Sequence, residues 1–79
     1  MNYVCKESVY VKEVRQLLKD LKIKYRFNWK SKTSYALPRD SFIHVGGKES
    51  TLENFLSTVF HEIAHIFNFE IKNILFIIM

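Results

Sequence analysis

The residues best suited to chemistry in this 79-residue chain are two histidines, His61 and His65, with Glu62 directly after the first. On an α-helix, side chains four residues apart lie about 40° from each other, so both imidazoles face the same way. Two imidazoles in this arrangement can each direct a ring nitrogen at one metal ion. The H-E-x-x-H spacing therefore predicts a zinc site in which His61 and His65 are ligands.

Glu62 lies about 100° from His61 on the same predicted helix, where it can reach a metal-bound water without binding the metal itself. Zinc lowers the pKa of a bound water to about 7, and a neighbouring carboxylate can accept its proton as the oxygen attacks a carbonyl carbon. These residues predict hydrolysis with Zn²⁺ as the cofactor and Glu62 as the general base. The alternative is two solvent-facing histidines that bind no metal.

The elements before this helix are predicted from hydrophobic periodicity. Residues 25–30 alternate between aromatic and polar types, which is typical of a strand. Further strands are expected at 35–37 and 41–45, joined by a turn that contains Pro38. Residues 8–23 predict an amphipathic helix, whose apolar stripe comprises Tyr10, Val14, Leu17, Leu18 and Leu21. The order is α-β-β-β-α, an α+β fold with a small three-stranded sheet.

The histidines belong to a long second helix, which is predicted to begin at a capping box formed by Ser50 and Glu53. On a helical wheel, His61 and His65 fall in the middle of the polar face rather than in the core. The apolar residues fall on the opposite half, and they are Leu52, Phe55, Leu56, Val59, Ile63, Ile66 and Phe67.

The run His61-Glu62-Ile63-Ala64-His65 resembles the active-site helix of the zincin metallopeptidase superfamily. The predicted order is similar to the N-terminal half of a minimal zincin, as in SprT-like and small phage-encoded members. The resemblance covers about residues 8–70, although only the five-residue motif is specific. It implies that His61 and His65 bind zinc and that Glu62 is the general base. It also implies that an edge strand, expected at 41–45, pairs with an extended peptide or protein substrate.

The sequence departs from the zincin pattern at the third zinc ligand. A metzincin continues H-x-x-G-x-x-H, but here Asn68, which can adopt a left-handed turn, stands at the glycine position and Ile71 at the last histidine position. Glu70 is one residue early and, on a continuing helix, would face the core. His44 is either a third ligand from the neighbouring strand or an exposed strand histidine.

Three hypotheses follow for the single domain expected over residues 1–79. The first is a zinc-dependent metallopeptidase that hydrolyses peptide bonds through Glu62. The second is a catalytically impaired zincin-like module that binds protein or nucleic acid, and a purely structural α+β protein is the third. One interpretation of the missing ligand is that the C-terminal, ligand-bearing part of a longer zincin is lost.

Composition limits the partners. The formal net charge of +4 permits an acidic partner, and the basic residues among aromatics at 19–32 are compatible with a nucleic-acid surface. We favour the alternative, a strand whose aromatics pack inward.

The single cysteine, Cys5, excludes an internal disulfide and suits a reducing compartment. With no signal-peptide pattern and no apolar run of roughly 20 residues, a soluble, cytoplasmic protein without membrane contact is expected.

The apolar run at residues 74–79 has no predicted partner elsewhere in the chain. It can fold back on the sheet, cover surface that a lost segment once covered, or pair with a second copy. We favour the last, a homodimer through this C-terminal tail, because a domain of this size has little spare core.

Overall fold

The computed structural model describes residues 2–78, so Met79, the last residue of the predicted apolar tail, lies outside the described residues. A short 3-10 helix, Pro38–Asp40, joins the second and third strands. The elements in chain order are α1 (Val9–Asp20), β1 (Lys24–Asn28), β2 (Tyr35–Leu37), β3 (Phe42–Gly46) and α2 (Leu52–Ile78). The predicted α+β class and the α-β-β-β-α order are confirmed.

β3 is the central strand of the sheet, with β1 on one side and β2 on the other. β1 runs parallel to β3 and pairs Phe27 with Val45, whereas β2 is antiparallel and pairs Ala36 with Ile43. The expectation that residues 41–45 form an edge strand is therefore wrong. β3 is the most buried of the three strands, and a buried backbone needs hydrogen-bond partners on both sides.

Both helices pack on one face of the sheet. Ile43 and Val45 of β3 point to this face and are fully buried in one cluster with Leu18 of α1 and Phe55 and Val59 of α2. Burial of side chains of this kind stabilises the fold by about 1.5–3 kcal/mol each. This cluster holds the N-terminal half of α2 against the sheet.

The aromatic residues of β1, and Trp29 directly after it, extend this core along the edge of the sheet. Phe27 meets Phe55 edge to face with ring centroids 5.0 Å apart, and Trp29 stacks on the same Phe55 ring at 5.1 Å. The guanidinium of Arg15 lies over Phe27, 5.0 Å from the ring centroid. The inward packing that the sequence alternation predicts for these aromatics is confirmed.

α1 is shorter than predicted and is rotated about its axis. The chain leaves the helix through Lys22, whose φ is 59°. The buried residues of α1 are Val11, Val14 and Leu18. Three residues of the predicted stripe instead remain partly exposed, and they are Tyr10, Leu17 and Leu21. α1 therefore keeps an apolar strip that the sheet does not cover.

α2 begins at a different cap from the predicted one. The Thr51 hydroxyl accepts a hydrogen bond from the Asn54 N–H at 3.2 Å, as an N-cap residue does. The predicted capping box of Ser50 and Glu53 is wrong, because the helix starts one residue later and Thr51 carries the hydroxyl that reaches the third amide. The Ser50 carbonyl instead accepts the Val4 N–H, which ties the N-terminal segment to this turn.

α2 extends well beyond the sheet. It has 27 residues, and the longest dimension of the molecule is 49 Å against 22 and 18 Å for the others. Its last buried residue is Ile66, and residues 70–78 are all exposed. Neither helix within residues 2–78 is both long enough and apolar enough to cross a membrane.

Candidate metal centre

His61 and His65 lie near the middle of α2 on its exposed face, where the helical wheel places them. Their Nε2 atoms are 3.1 Å apart, and their ring planes are nearly perpendicular at 88°. At this distance one imidazole donates a hydrogen bond to the other. The two ring nitrogens therefore converge on one point at the helix surface.

The separation of these nitrogens suits a shared zinc ion. Two ligands that each lie 2.0–2.1 Å from a tetrahedral zinc are about 3.3 Å from each other. The observed Nε2–Nε2 distance of 3.1 Å is close to that value. Small rotations of the two rings bring them to the required separation, so His61 and His65 fit two of four coordination positions.

The remaining coordination positions find no ligand in the described part of the chain. Within residues 2–78, no group of three or more histidine, cysteine, aspartate or glutamate side chains is placed to hold a metal ion. Structural zinc sites have four protein ligands, and catalytic sites usually have three. Further ligands to a zinc on the histidine pair would come from water or from groups outside these residues.

His44 is neither a third ligand nor an exposed strand histidine. It is only 8% exposed, its Nδ1 lies 3.1 Å from the Thr33 carbonyl oxygen, and its ring stacks on Tyr35 with centroids 4.8 Å apart. Since Ile43 and Val45 point toward the helices, alternation along β3 places His44 on the opposite face of the sheet from α2. His44 therefore serves packing and does not approach the histidine pair.

α2 continues without a break past Asn68. Positive φ values at non-glycine residues in the described chain occur only at Lys22, Ser41 and Glu49, so Asn68 does not form a left-handed turn. The chain reversal that would bring a metzincin-like third ligand back to the pair is absent from residues 2–78. The expectation that Glu70 faces the core is also wrong, because α2 has passed beyond the sheet and Glu70 is exposed.

Glu62 belongs to the buried side of α2 and is only 6% exposed. No buried side-chain oxygen or nitrogen in residues 2–78 is both cut off from water and without a hydrogen-bond partner. The Glu62 carboxylate is therefore not sealed in the apolar core. On the helix it lies about 60° from His65, which places it at the boundary between the core and the histidine face.

The burial of Glu62 was not predicted, although the sequence contains a signal for it. Three buried residues share a helix face with Glu62. Phe55 lies seven residues before it, Val59 three residues before it, and Ile66 four residues after it. These are the spacings of one helix face. The centre of the buried stripe therefore lies closer to Glu62 than the full set of apolar residues suggested.

In comparisons with known proteins, no family model, no curated protein and no solved structure matches this chain.

Proposed function

We propose that this protein is a zinc-binding domain of zincin type, in which His61 and His65 hold the ion and Glu62 is the general base for hydrolysis of a peptide bond. The observation that carries the proposal is the 3.1 Å separation of the two Nε2 atoms on the exposed face of α2. That separation is close to what two ligands of one tetrahedral zinc require.

Zinc, when bound, supplies Lewis acidity and lowers the pKa of a coordinated water. In this proposal Glu62, next to His61 on α2, accepts the proton of that water at its carboxylate. Because the side chain is 6% exposed, the packing around it restricts its rotamers and holds the carboxylate in place.

An extended substrate is proposed to pair with β2, not with β3. β2 is an edge strand, so its outer edge is paired with no other strand of the described sheet, and such an edge can take up an extended peptide as an added strand. At the end of β2, Phe69 of α2 and residues 37–40 line a cavity of about 360 Å³. This cavity can accept one apolar side chain of a bound peptide.

Hydrolysis of an unstructured protein such as casein by the full chain, with and without added zinc, tests this function. Activity is expected only with zinc, and Glu62→Gln should lower it about 100-fold or more without changing zinc affinity. Glu53→Gln is the matched control, because Glu53 is an exposed carboxylate in the first turn of the same helix. Equal activity in Glu62→Gln and the control would contradict the role of Glu62.

The second candidate function is a catalytically impaired zincin-like module that binds protein or nucleic acid. The lack of a third ligand among residues 2–78 favours it, as does the net charge of +4. Zinc binding by the histidine pair with no hydrolysis of any substrate would favour this candidate. Binding of a labelled single-stranded oligonucleotide, measured by fluorescence anisotropy over a salt series, then separates a nucleic-acid partner from a protein partner.

A further inference from the structure

An exposed apolar stripe runs along α2 from its middle to its C-terminal end, and we name it the α2 seam. Its residues recur at intervals of four and three, and all are exposed: Phe60, Ala64, Phe67, Ile71, Ile74 and Ile78. A repeat of 3.5 residues is the pattern of the a and d positions of a coiled coil, where each side chain packs against a facing helix. The α2 seam therefore has the form of a helix-pairing surface.

The apolar area along this side of the molecule is too large for an isolated chain. The large residues of the α2 seam, with Leu75 beside it and Tyr10 and Leu17 of the strip that α1 leaves open, are 36% to 74% exposed. At about 150–250 Å² for a large side chain, they leave on the order of 800 Å² in contact with water. The largest apolar patch on a monomer is usually about 300–600 Å². Each partner in a stable interface of standard size buries about 800 Å².

We propose that the α2 seam packs against the α2 seam of a second copy, with the two helices antiparallel. In this orientation the repeat is self-complementary, because every layer combines one a position with one d position. Ala64 faces Ile74 of the second copy, and Phe67 faces its Ile71. Phe60 at one end of the seam faces Ile78 at the other.

The antiparallel direction follows from a groove beside Phe60. Tyr10 and Leu17 of α1, with Leu56 and Phe60 of α2, line most of an apolar cavity of about 230 Å³. In an antiparallel pair, the exposed end of α2 from the second copy reaches this groove and covers the strip that α1 leaves open. In a parallel pair the two folded ends would lie side by side, and the exposed ends would cover only each other.

The pairing leaves the candidate metal centre free. His61 and His65 lie about 100–140° around α2 from the centre of the α2 seam. The interface therefore neither covers the two imidazoles nor supplies them with a ligand. Dimerisation and zinc binding are independent, and either can fail without the other.

Sedimentation equilibrium of the full chain over a range of concentrations tests the pairing. A dimer is expected, and the double variant Ile71→Lys, Ile74→Lys should weaken it by at least about 100-fold, because two charges enter apolar layers. Phe76→Lys is the matched control, since Phe76 is 82% exposed and lies off the α2 seam. This variant should remain dimeric. Circular dichroism checks that each variant keeps its helices.

Disulfide cross-linking tests the direction in a Cys5→Ser background. The double variant Ala64→Cys, Ile74→Cys should form an intermolecular disulfide, because these positions face each other in the antiparallel pair. Ala64→Cys alone should not, whereas a parallel pair would cross-link it. A monomer at all concentrations, or equal weakening by Phe76→Lys, would overturn the proposal. So would a monomer that co-sediments with phosphatidylcholine vesicles, since a lipid surface would then be what covers the tail.

Discussion

The Nε2 atoms of His61 and His65 lie 3.1 Å apart on a face of α2 that is open to solvent. The core residues on the other side of the helix, among them Phe55, Val59 and Ile66, are buried and hold its backbone in place. The core packing therefore fixes the segment of α2 that brings the two imidazoles together. Pre-organisation of this kind reduces the conformational entropy lost on binding.

Replacing either histidine should weaken zinc binding. His61→Ala or His65→Ala removes one of the two ligands, and we expect zinc affinity to fall by at least about 10-fold in each case. Asn68→Ala is the control, because Asn68 is exposed on the same helix and binds no metal in this interpretation. Competition with a chromogenic zinc chelator measures the affinity. Equal affinity in all three variants and the unchanged protein would exclude the pair as a zinc site.

Glu62→Leu should raise the stability of the fold while it removes the proposed base. The residue is 6% exposed on the buried side of α2, so a leucine there adds apolar area to the core stripe, worth about 25 cal/mol per Å² removed from water. We expect the free energy of unfolding to rise by about 1 kcal/mol or more, as measured by urea denaturation. Glu53→Leu should instead lower the free energy of unfolding, because it removes an exposed negative charge from the helix N-terminus. Loss of stability in Glu62→Leu would mean that the carboxylate has a structural role.

His44 should matter for stability and not for zinc. His44→Ala loses the hydrogen bond to the Thr33 carbonyl and the stacking on Tyr35, which are worth about 0.5–1.5 kcal/mol each. We expect the free energy of unfolding to fall by about 1–3 kcal/mol with no change in zinc affinity. Tyr35→Phe keeps the ring and should be nearly neutral. A drop in zinc affinity in folded His44→Ala would restore His44 as a ligand.

Local sequence patterns predict the elements of this fold but not their arrangement. Alternation and helical periodicity depend on neighbouring residues, so the order of helices and strands follows from them. The position of β3 between β1 and β2 does not, because the parallel pairing of Phe27 with Val45 joins segments far apart in the chain. The cap at Thr51 was missed for a different reason. Ser50 and Thr51 both offer a hydroxyl, and only the path of the chain selects between them.

In the candidate site, too, the local sequence predicts some features and leaves others undetermined. The convergence of His61 and His65 needs only a helix and a spacing of four residues, so it could be predicted. The burial of Glu62 depends on how far α2 is rotated against the sheet, and a rotation of about 40° separates the predicted stripe from the observed one. The exposure of Glu70 depends on where the sheet ends beneath α2. The H-E-x-x-H motif determines neither the rotation of α2 against the sheet nor the point where the sheet ends beneath it.

Gly46 at the end of β3 should tolerate no side chain. A Cβ there would lie 2.5 Å from the Ser31 carbonyl oxygen and 2.8 Å from the Thr33 backbone nitrogen, atoms that cannot move aside without displacing the loop. We expect Gly46→Ala to lower the free energy of unfolding by about 1–3 kcal/mol in urea denaturation. Gly47→Ala is the comparison, because its Cβ would meet the Trp29 ring at 2.5 Å and a side chain can shift. Its loss should be smaller, and a larger loss at Gly47 than at Gly46 would contradict the close approach of this loop to β3.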